Sequence, residues 1–286
     1  MGIAACRGSP LKMSIQLSLI GYGEAGRTFA RAANWRADAR AFDIRPLKTL
    51  YEEDGITPCD DLEEAVRSSE IVLSLVTADQ SLNVANHVAQ SIEEGCLFFD
   101  MNSVAPQTKL AAEMTISRQG GKYVDVAILA PVSPAQLAVP LAVSGPVAAD
   151  AASQLTALGF ANVRVVGNEV GQAATIKMLR SVMYKGMEAL TAECLMACER
   201  AGLTQDVIDS FGAGDWSEQA DYRLDRMLIH GERRSAEMRE AAKTLEGLGI
   251  VPEMTRGTIA YQKQIGAKGK GRAPAGLGAK LKVIGQ

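Results

Sequence analysis

Apolar and polar positions follow two regimes along this chain. Up to residue 166, short apolar, β-prone runs alternate with helical stretches. Ile15 to Ile20 reads as strand, RTFARAANW as helix, Ala39 to Phe42 as strand, Leu62 to Ser68 as helix and Glu70 to Leu75 as a buried strand. Helix follows at Ser81 to Ile92, strand at Cys96 to Phe99 and helix at Gln107 to Ser117. Tyr123 to Val126, Leu141 to Val143 and Val163 to Val166 complete the strands, with a helix over Ala148 to Leu158 between the last two. This βα rhythm predicts an α/β domain built on a doubly wound parallel sheet.

After Val166 the strand pattern stops. Gly167 to Arg200 contains no proline and is long enough for roughly eight helical turns. Lys177, Ser181, Tyr184 and Glu188 fall within about 60° of one another and form a narrow polar stripe. Ile176, Met178, Leu179, Val182, Met183, Met187 and Leu190 fill most of the remaining girth, which predicts a helix covered by protein on several sides. Further helices are predicted at Gln205 to Ser210, Ser217 to His230 and Ser235 to Leu248, the last stopped by Gly249 and Pro252. The expected organisation is a sheet domain over 14–166, an all-helical domain over 167–262 joined to it by the long interdomain helix, and a solvated, mobile Gly/Lys-rich basic tail over 263–286. Residues 1–13 carry no pattern and read as a loose lead segment, and Met13 is a candidate for the true start.

Length agrees with two domains: 286 residues is long for one core. A formal net charge of −3 leaves no basic footprint for nucleic acid. No apolar run approaches the roughly 20 residues that span a bilayer, and a secretory signal pattern is absent, so a cytoplasmic protein is expected. The five cysteines are scattered, as suits reduced thiols. Cys194 and Cys198 share a helix face but have no histidine partner, and the chain holds two histidines in all, which argues against zinc.

The chemistry begins directly after the first strand. Gly21-Tyr22-Gly23-Glu24-Ala25-Gly26 is a G-x-G-x-x-G turn between strand and helix, the context that dinucleotide binding requires. Gly21 permits the tight turn, Gly23 lets a pyrophosphate approach the backbone, and Gly26 lets helix and strand pack closely. Asp43 ends the second strand, about twenty residues on, where a carboxylate accepts the adenosine ribose hydroxyls. Asp43 would repel a 2′-phosphate and favours NAD; Arg45 could pair with that phosphate, which keeps NADP open. Together these features predict a Rossmann-type domain. Ligands in such sheets sit beyond the carboxyl ends of strands, where Val76, Thr77, Asn102 and Ser103 fall. Ser103 could equally serve as a helix cap.

In the helical half, Lys177 reads either as a lysine snorkelling to water or as a cleft-facing amine whose lowered pKa suits proton exchange. His230, in the polar cluster HGERR, is a surface residue or, with a neighbouring arginine, a carboxylate binder.

Four segments, LIGYGEAGRTFA, DMNSVAP, YVDVAILAPV and the G-x-x-x-G-x-x-x-x-x-K of Gly167 to Lys177, occur in the order and spacing of the β-hydroxyacid dehydrogenases. The chain resembles that family over roughly residues 14–260, and most closely a divergent phosphogluconate-dehydrogenase-like branch. The resemblance implies that Lys177 assists removal of a hydroxyl proton while hydride passes to the nicotinamide, with Asn102 and Ser103 contacting the substrate carboxylate and the nicotinamide side of the cofactor. Ser181 stands where the family usually has asparagine, Ala236-Glu237 where it has a lysine-aspartate pair, and Ile128-Leu129-Ala130-Pro131 where it wraps the substrate acid with serine and glycines. A different, more apolar substrate pocket follows. In some relatives a C-terminal segment crosses to a partner subunit, and the apolar girth of the long helix also points to a homodimer. The expected activity is NAD(P)-dependent oxidation of a small hydroxy acid, with loss of carbon dioxide if the acid is β to the new ketone. Imine reduction on the same scaffold and a non-catalytic dinucleotide-binding module are the alternatives.

Overall fold

The computed structural model describes residues 16–285. The loose lead segment, the Met13 start and Cys6 lie outside them. The first half comprises β1 (Leu17–Ile20), α1 (Glu24–Ala33), β2 (Ala39–Phe42), α2 (Lys48–Asp54), β3 (Thr57–Pro58), α3 (Leu62–Val66), β4 (Ile71–Ser74), α4 (Ser81–Val88), β5 (Leu97–Asp100), α5 (Pro106–Arg118), β6 (Lys122–Ile128), α6 (Val132–Ala135), β7 (Leu141–Ser144), α7 (Ala148–Ala157) and β8 (Val163–Gly167). The strands form one sheet in the order β3-β2-β1-β4-β5-β6-β7-β8. Successive strand residues feed opposite cores: Leu17, Leu19, Leu73 and Phe99 on one face, Ile20, Val72 and Phe98 on the other. Burial on both faces is what the near-continuous apolar runs require.

Two features depart from the predicted sheet. A short edge strand, β3, was not expected; it consists of Thr57 and Pro58 alone, too short for any periodicity to register. The sheet is also not wholly parallel, because β7 runs antiparallel to β6. A parallel return needs a crossover of about a dozen residues or more, usually carrying a helix. The link from Ile128 to Leu141 holds three prolines and only the four-residue α6 and a short 3₁₀ turn, so the chain folds straight back.

The second half is helical: α8 (Gln172–Ala201), α9 (Thr204–Ser210), α10 (Trp216–Gly247), α11 (Glu253–Gly269) and α12 (Leu277–Gly285). No helix of the described residues is long and apolar enough to cross a membrane. Two expectations are corrected here. The helices predicted over Ser217 to His230 and Ser235 to Leu248 are one continuous α10, so HGERR is the middle of a helix and not a linker. Gly231 is a crossing point: a Cβ there would overlap the backbone oxygen of Gln262 and stand 2.7 Å from Gly266 Cα on α11. Its lack of a side chain lets two backbones touch, the same reason small residues recur where helices pack closely. The basic tail is not solvated and mobile. Residues 263–269 continue α11, and α12 buries Leu281 and Ile284 in the helical core, while Lys280 is clasped by Asp221 and Asp225 at 2.6 and 2.9 Å. Three charged or apolar anchors spaced along one turn outweigh a composition that looked disordered.

Gly231→Ala is expected to destabilise the protein by about 1–3 kcal/mol despite alanine's better helix propensity, because the new methyl has no space between α10 and α11. Urea denaturation of the two proteins measures it; unchanged stability would show that the two helices separate freely.

Candidate active site

The glycine turn has the shape its sequence demands. Gly21 sits at φ +96°, and a Cβ there would stand 2.5 Å from the carbonyl oxygen of Leu75; one on Gly26 would overlap Gly21's own oxygen. Gly23 differs, since a Cβ there would meet nothing closer than Arg45 Nη2 at 3.5 Å. Its backbone is therefore bare to an incoming group. Gly23 also caps α1, and no side chain satisfies that helix end. Unclaimed N–H groups at a helix start next to an open glycine fit a pyrophosphate. Tyr22 turns inward, its ring 4.8 Å from that of Tyr51 and its hydroxyl donating to Asp54 at 3.0 Å. Ala25 packs on the sheet core, and Glu24 faces solvent.

Asp43 accepts from Tyr22 N at 2.8 Å and from Arg45 through Nε and Nη2, both at 2.9 Å. Burial would raise this carboxyl's pKa, but the hydrogen bonds from Arg45 and from Tyr22 N outweigh it and hold the pKa below the ordinary value. Both residues expected to choose between NAD and NADP thus form one forked pair beside the turn.

At the carboxyl ends of β4 and β5, Asn102 is buried and fully engaged. Its Oδ1 accepts from Val76 N at 2.7 Å, and its Nδ2 donates to Ser74 and Ser81 at 2.9 and 3.3 Å. The side chain ties β4, β5 and the start of α4 together and points its polar atoms at protein. Ser103 beside it is half-buried, and its hydroxyl makes no hydrogen bond among the described residues. Thr77 is exposed.

Two carboxylates then lock the helical half onto the sheet. Asp125 on β6 accepts through one oxygen from Gly171 N, Ala174 N and Ser144 Oγ, each at 3.0 Å, and Ser144 Oγ accepts from Ala173 N at 3.0 Å. The N-terminus of α8 is therefore capped by the sheet, with a negative charge where the helix dipole favours one. Lys109 of α5, itself about 1% exposed, lies 2.9 Å from Asp100 and 3.4 Å from Asp125 and balances them. Conversely, Glu240 of α10 accepts from Ala105 N at 2.9 Å, capping α5.

This docking fixes which arc of α8 faces inward. Ser181, Lys185 and Glu188 are buried, whereas Tyr184 is 53% exposed, so Lys185 and not Tyr184 continues the polar stripe. At about 100° per residue Tyr184 lies about 60° from Ser181, beyond the covered arc, and Lys185 lies about 40° to the other side. Protein covers α8 on several sides, as its apolar girth suggests, but Leu179, Met183, Met187 and Leu190 are exposed on the far face.

Lys177 lies at the rim of the buried arc. Desolvation by burial draws its pKa down to about 8; Lys185, Lys109 and Arg233 push the same way, and Glu237 opposes them. It makes no ion pair or hydrogen bond among the described residues. Glu237 of α10 is held instead by Lys185, at 2.8 Å, and Lys185 also donates to Ser181 at 3.1 Å. Although burial raises the pKa of Glu237, the Lys185 ion pair, with Lys177 and Arg233, brings it to about 2.

His230, one turn before Arg234 on α10, has its pKa lowered by burial and by Arg226 and Arg233, against the pull of Glu24. It is neutral at pH 7 and is the weaker anion binder of that cluster. Arg233 reaches across to Glu24 of the glycine turn at 3.5 Å, so α10 meets the dinucleotide end directly. Lys109, Asp125, Ser144 and Lys185 were not anticipated as members of this region; Glu237 was noted only as a departure from the family's lysine-aspartate pair, and Arg233 only among the arginines neighbouring His230. Lys185 alone had a legible signal, standing four residues after Ser181 and eight after Lys177.

Residues 16–158 match the family described as the NAD binding domain of 6-phosphogluconate dehydrogenase, and residues 199–265 match a domain of unknown function, DUF1932. A conserved hypothetical protein from Sinorhizobium meliloti 1021 is 36% identical, with 96% of this chain and 97% of that chain covered and a TM-score of 0.74. A conserved protein of unknown function, described as structurally similar to 3-hydroxyacid dehydrogenases, is 29% identical over 90% of this chain and 100% of its own, with a TM-score of 0.68. 3-Hydroxyisobutyrate dehydrogenase of Mycobacterium tuberculosis, solved with L-serine, shares the fold at 17% identity, with 94% and 98% covered and a TM-score of 0.72.

Asp125→Ala is expected to destabilise the protein by about 3–5 kcal/mol, since it leaves Lys109 short of a counter-charge and the start of α8 uncapped. Guanidinium unfolding followed by circular dichroism measures it, and a loss under about 1 kcal/mol would remove this carboxylate as the anchor of α8.

Proposed function

This chain belongs to the β-hydroxyacid dehydrogenase family of nicotinamide-dependent oxidoreductases, and from that premise we propose that it oxidises a small hydroxy acid reversibly to the oxo acid, with Lys177 as the acid/base. One observation carries the reading: an amine without an ion-pair partner, on the helix that the sheet's own carboxylate caps, with a pKa drawn to about 8. A lysine kept merely for solubility would stand in water near its ordinary value. The bound nicotinamide supplies the hydride acceptor or donor. The glycine turn and the open end of α1 would hold its pyrophosphate, with Val76 and Thr77 alongside. Asp43 would take the adenosine ribose and favours NAD; Arg45, forked onto Asp43, is the residue through which NADP would be accepted.

Lys177 in its neutral form receives the substrate's hydroxyl proton and, in the reverse direction, returns it to the carbonyl oxygen. Ser103, with a hydroxyl unclaimed by protein, donates to the substrate carboxylate, and Asn102 acts by fixing the loop that presents it. Ser181 and His230 border the same region, Ser181 one turn beyond the lysine and His230 beside Arg233. The apolar Ile128-Leu129-Ala130-Pro131 segment, in place of the family's serine and glycines, favours a substrate with a hydrophobic portion.

Lys177→Ala is expected to lower turnover about 10²–10⁴-fold while leaving cofactor affinity unchanged. Absorbance at the reduced nicotinamide band, across hydroxy-acid and imine panels with each cofactor, is the measurement. Because oxidation uses the neutral amine, its rate should rise as pH increases through about 8, and reduction, which uses the protonated amine, should fall over the same interval. Turnover confined to imines would replace the substrate class, and cofactor binding without turnover on either panel would leave a non-catalytic module.

A homodimer is part of the proposal. Leu179, Met183, Met187 and Leu190 form one exposed apolar strip on α8, within about 80° of one another. Such a strip marks an association surface. Met183→Glu should shift sedimentation from dimer to monomer; a wild-type protein that sediments as a monomer at high micromolar concentration would remove this part of the reading.

A further inference from the structure

The inner arc of α8 carries two lysines two turns apart, Lys177 and Lys185, with Ser181 between them, and α10 presents Glu237 against that stripe. Two amines facing one carboxylate should compete for it. Lys185 holds it: its Nζ lies 2.8 Å from Glu237 Oε2, is anchored by Ser181 Oγ at 3.1 Å, and the residue is 6% exposed. The other oxygen of Glu237 has Arg233 Nε at 3.8 Å. Lys177 receives no partner among the described residues. The charges acting on it most strongly are Lys185 on its own helix, Glu237 and Arg233 on α10, and Lys109 on α5, so Glu237 is the one acidic group among them.

We propose that Lys185 is a positioning residue that reserves Glu237, keeping this carboxylate out of an ion pair with Lys177 and so leaving the Lys177 amine free to exchange a proton with substrate. The geometry gives the reason for a second buried lysine. A cleft with Lys177 and Glu237 alone would close into a salt bridge, and an amine so paired stays protonated and points at the carboxylate. With Lys185 in place Glu237 is neutralised locally, and the two like charges repel across the stripe. Ser181 gives Lys185 its second contact, which holds the Lys185 amine on the Glu237 side of the stripe. The inference rests on the proposed role of Lys177, and its test is chosen to be independent of turnover.

The full-length protein, free of cofactor, is labelled with trace acetic anhydride across pH 6–11, and acetylation of Lys177 is followed by peptide mass spectrometry against a free-amine standard. Only neutral amine reacts, so the midpoint reports Lys177 whether or not any substrate is turned over. The wild-type midpoint is expected near 8. In Lys185→Met it should rise by about one pH unit, an about fivefold slower reaction at pH 8, while Lys185→Arg should keep the wild-type midpoint. Removing Lys185 also removes repulsion, so the same change is made in a Glu237→Gln background. There the rise should be smaller by at least about half a unit, an about threefold difference. Equal rises in both backgrounds, or no rise at all in a folded Lys185→Met protein, would overturn the proposal. If Lys185→Met does not fold, Lys185→Gln, which retains a donor to Ser181, carries the same comparison. Loss of all hydroxy-acid and imine turnover in the wild type, with the labelling shifts as expected, would defeat the functional reading and leave this one standing.

Discussion

The reciprocal capping of two helices by buried carboxylates is the constraint on which the remaining geometry depends. Asp125, from the sheet, satisfies amides at the start of α8; Glu240, from α10, satisfies the amide of Ala105, the residue that caps α5. A buried helix end without such a partner leaves several unsatisfied donors, and a buried carboxylate without donors is worse. Each half of the molecule supplies what the other lacks, so the halves are held in one register and not merely pressed together by apolar contact. Lys109 completes the arrangement by placing one positive charge between Asp125 and Asp100 at the level where β5 and β6 lie side by side. Since Lys177 sits within two turns of that cap, the position of its amine is set by the sheet more than by the helical core behind it.

Charge balance follows from the same docking. The region between α5, α8 and α10 gathers Lys109, Lys177, Lys185 and Arg233, a concentration of positive charge that burial would ordinarily forbid. Lys109 and Lys185 each take carboxylates, at 2.9 and 2.8 Å, and Arg233 remains half exposed. Lys177 is the residual amine. Desolvation by burial is the main cause of its depressed pKa, and the neighbouring Lys185, Lys109 and Arg233 add to it against the pull of Glu237.

Much of this was legible in the sequence, and the limits are informative. The glycine turn, Asp43 and the strand-helix rhythm could be read directly because local sterics and burial on both sheet faces dictate them. Seven of the strands were anticipated within a few residues, while β3 and the reversal at β7 were not, one being too short for periodicity and the other decided by linker length. The helical half was harder. HGERR was taken for a break because polar residues and glycine cluster there, yet Gly231 is present for a backbone contact with a helix thirty-odd residues later in the chain, information no local window holds. The last two dozen residues were misread for a similar reason: Lys280 looked like tail composition until Asp221 and Asp225 closed around it. Asn102 was expected to face ligand, and its polar atoms instead knit three strand and helix ends together; the residue type was informative, its direction was not.

The long helix itself explains why both its faces matter at once. A wheel places Lys177, Ser181, Lys185 and Glu188 on one arc and Leu179, Met183, Met187 and Leu190 on the opposite one. On the first arc Ser181, Lys185 and Glu188 are buried by this chain and Lys177 is half-buried, whereas the second arc is exposed. Beside this polar stretch α8 buries Met178 and, further along, Ala189, Ala192, Leu195 and Cys198 in the helical core, so apolar burial, the cap at Asp125 and the ion pairs to α10 together hold the helix. Covering the outer apolar strip, as the proposed homodimer would, stiffens the same helix that carries Lys177. With Lys177 in its proposed role, assembly and chemistry would be coupled through a single rigid element: an interface that ordered α8 would sharpen the placement of Lys177 relative to the glycine turn without touching either site.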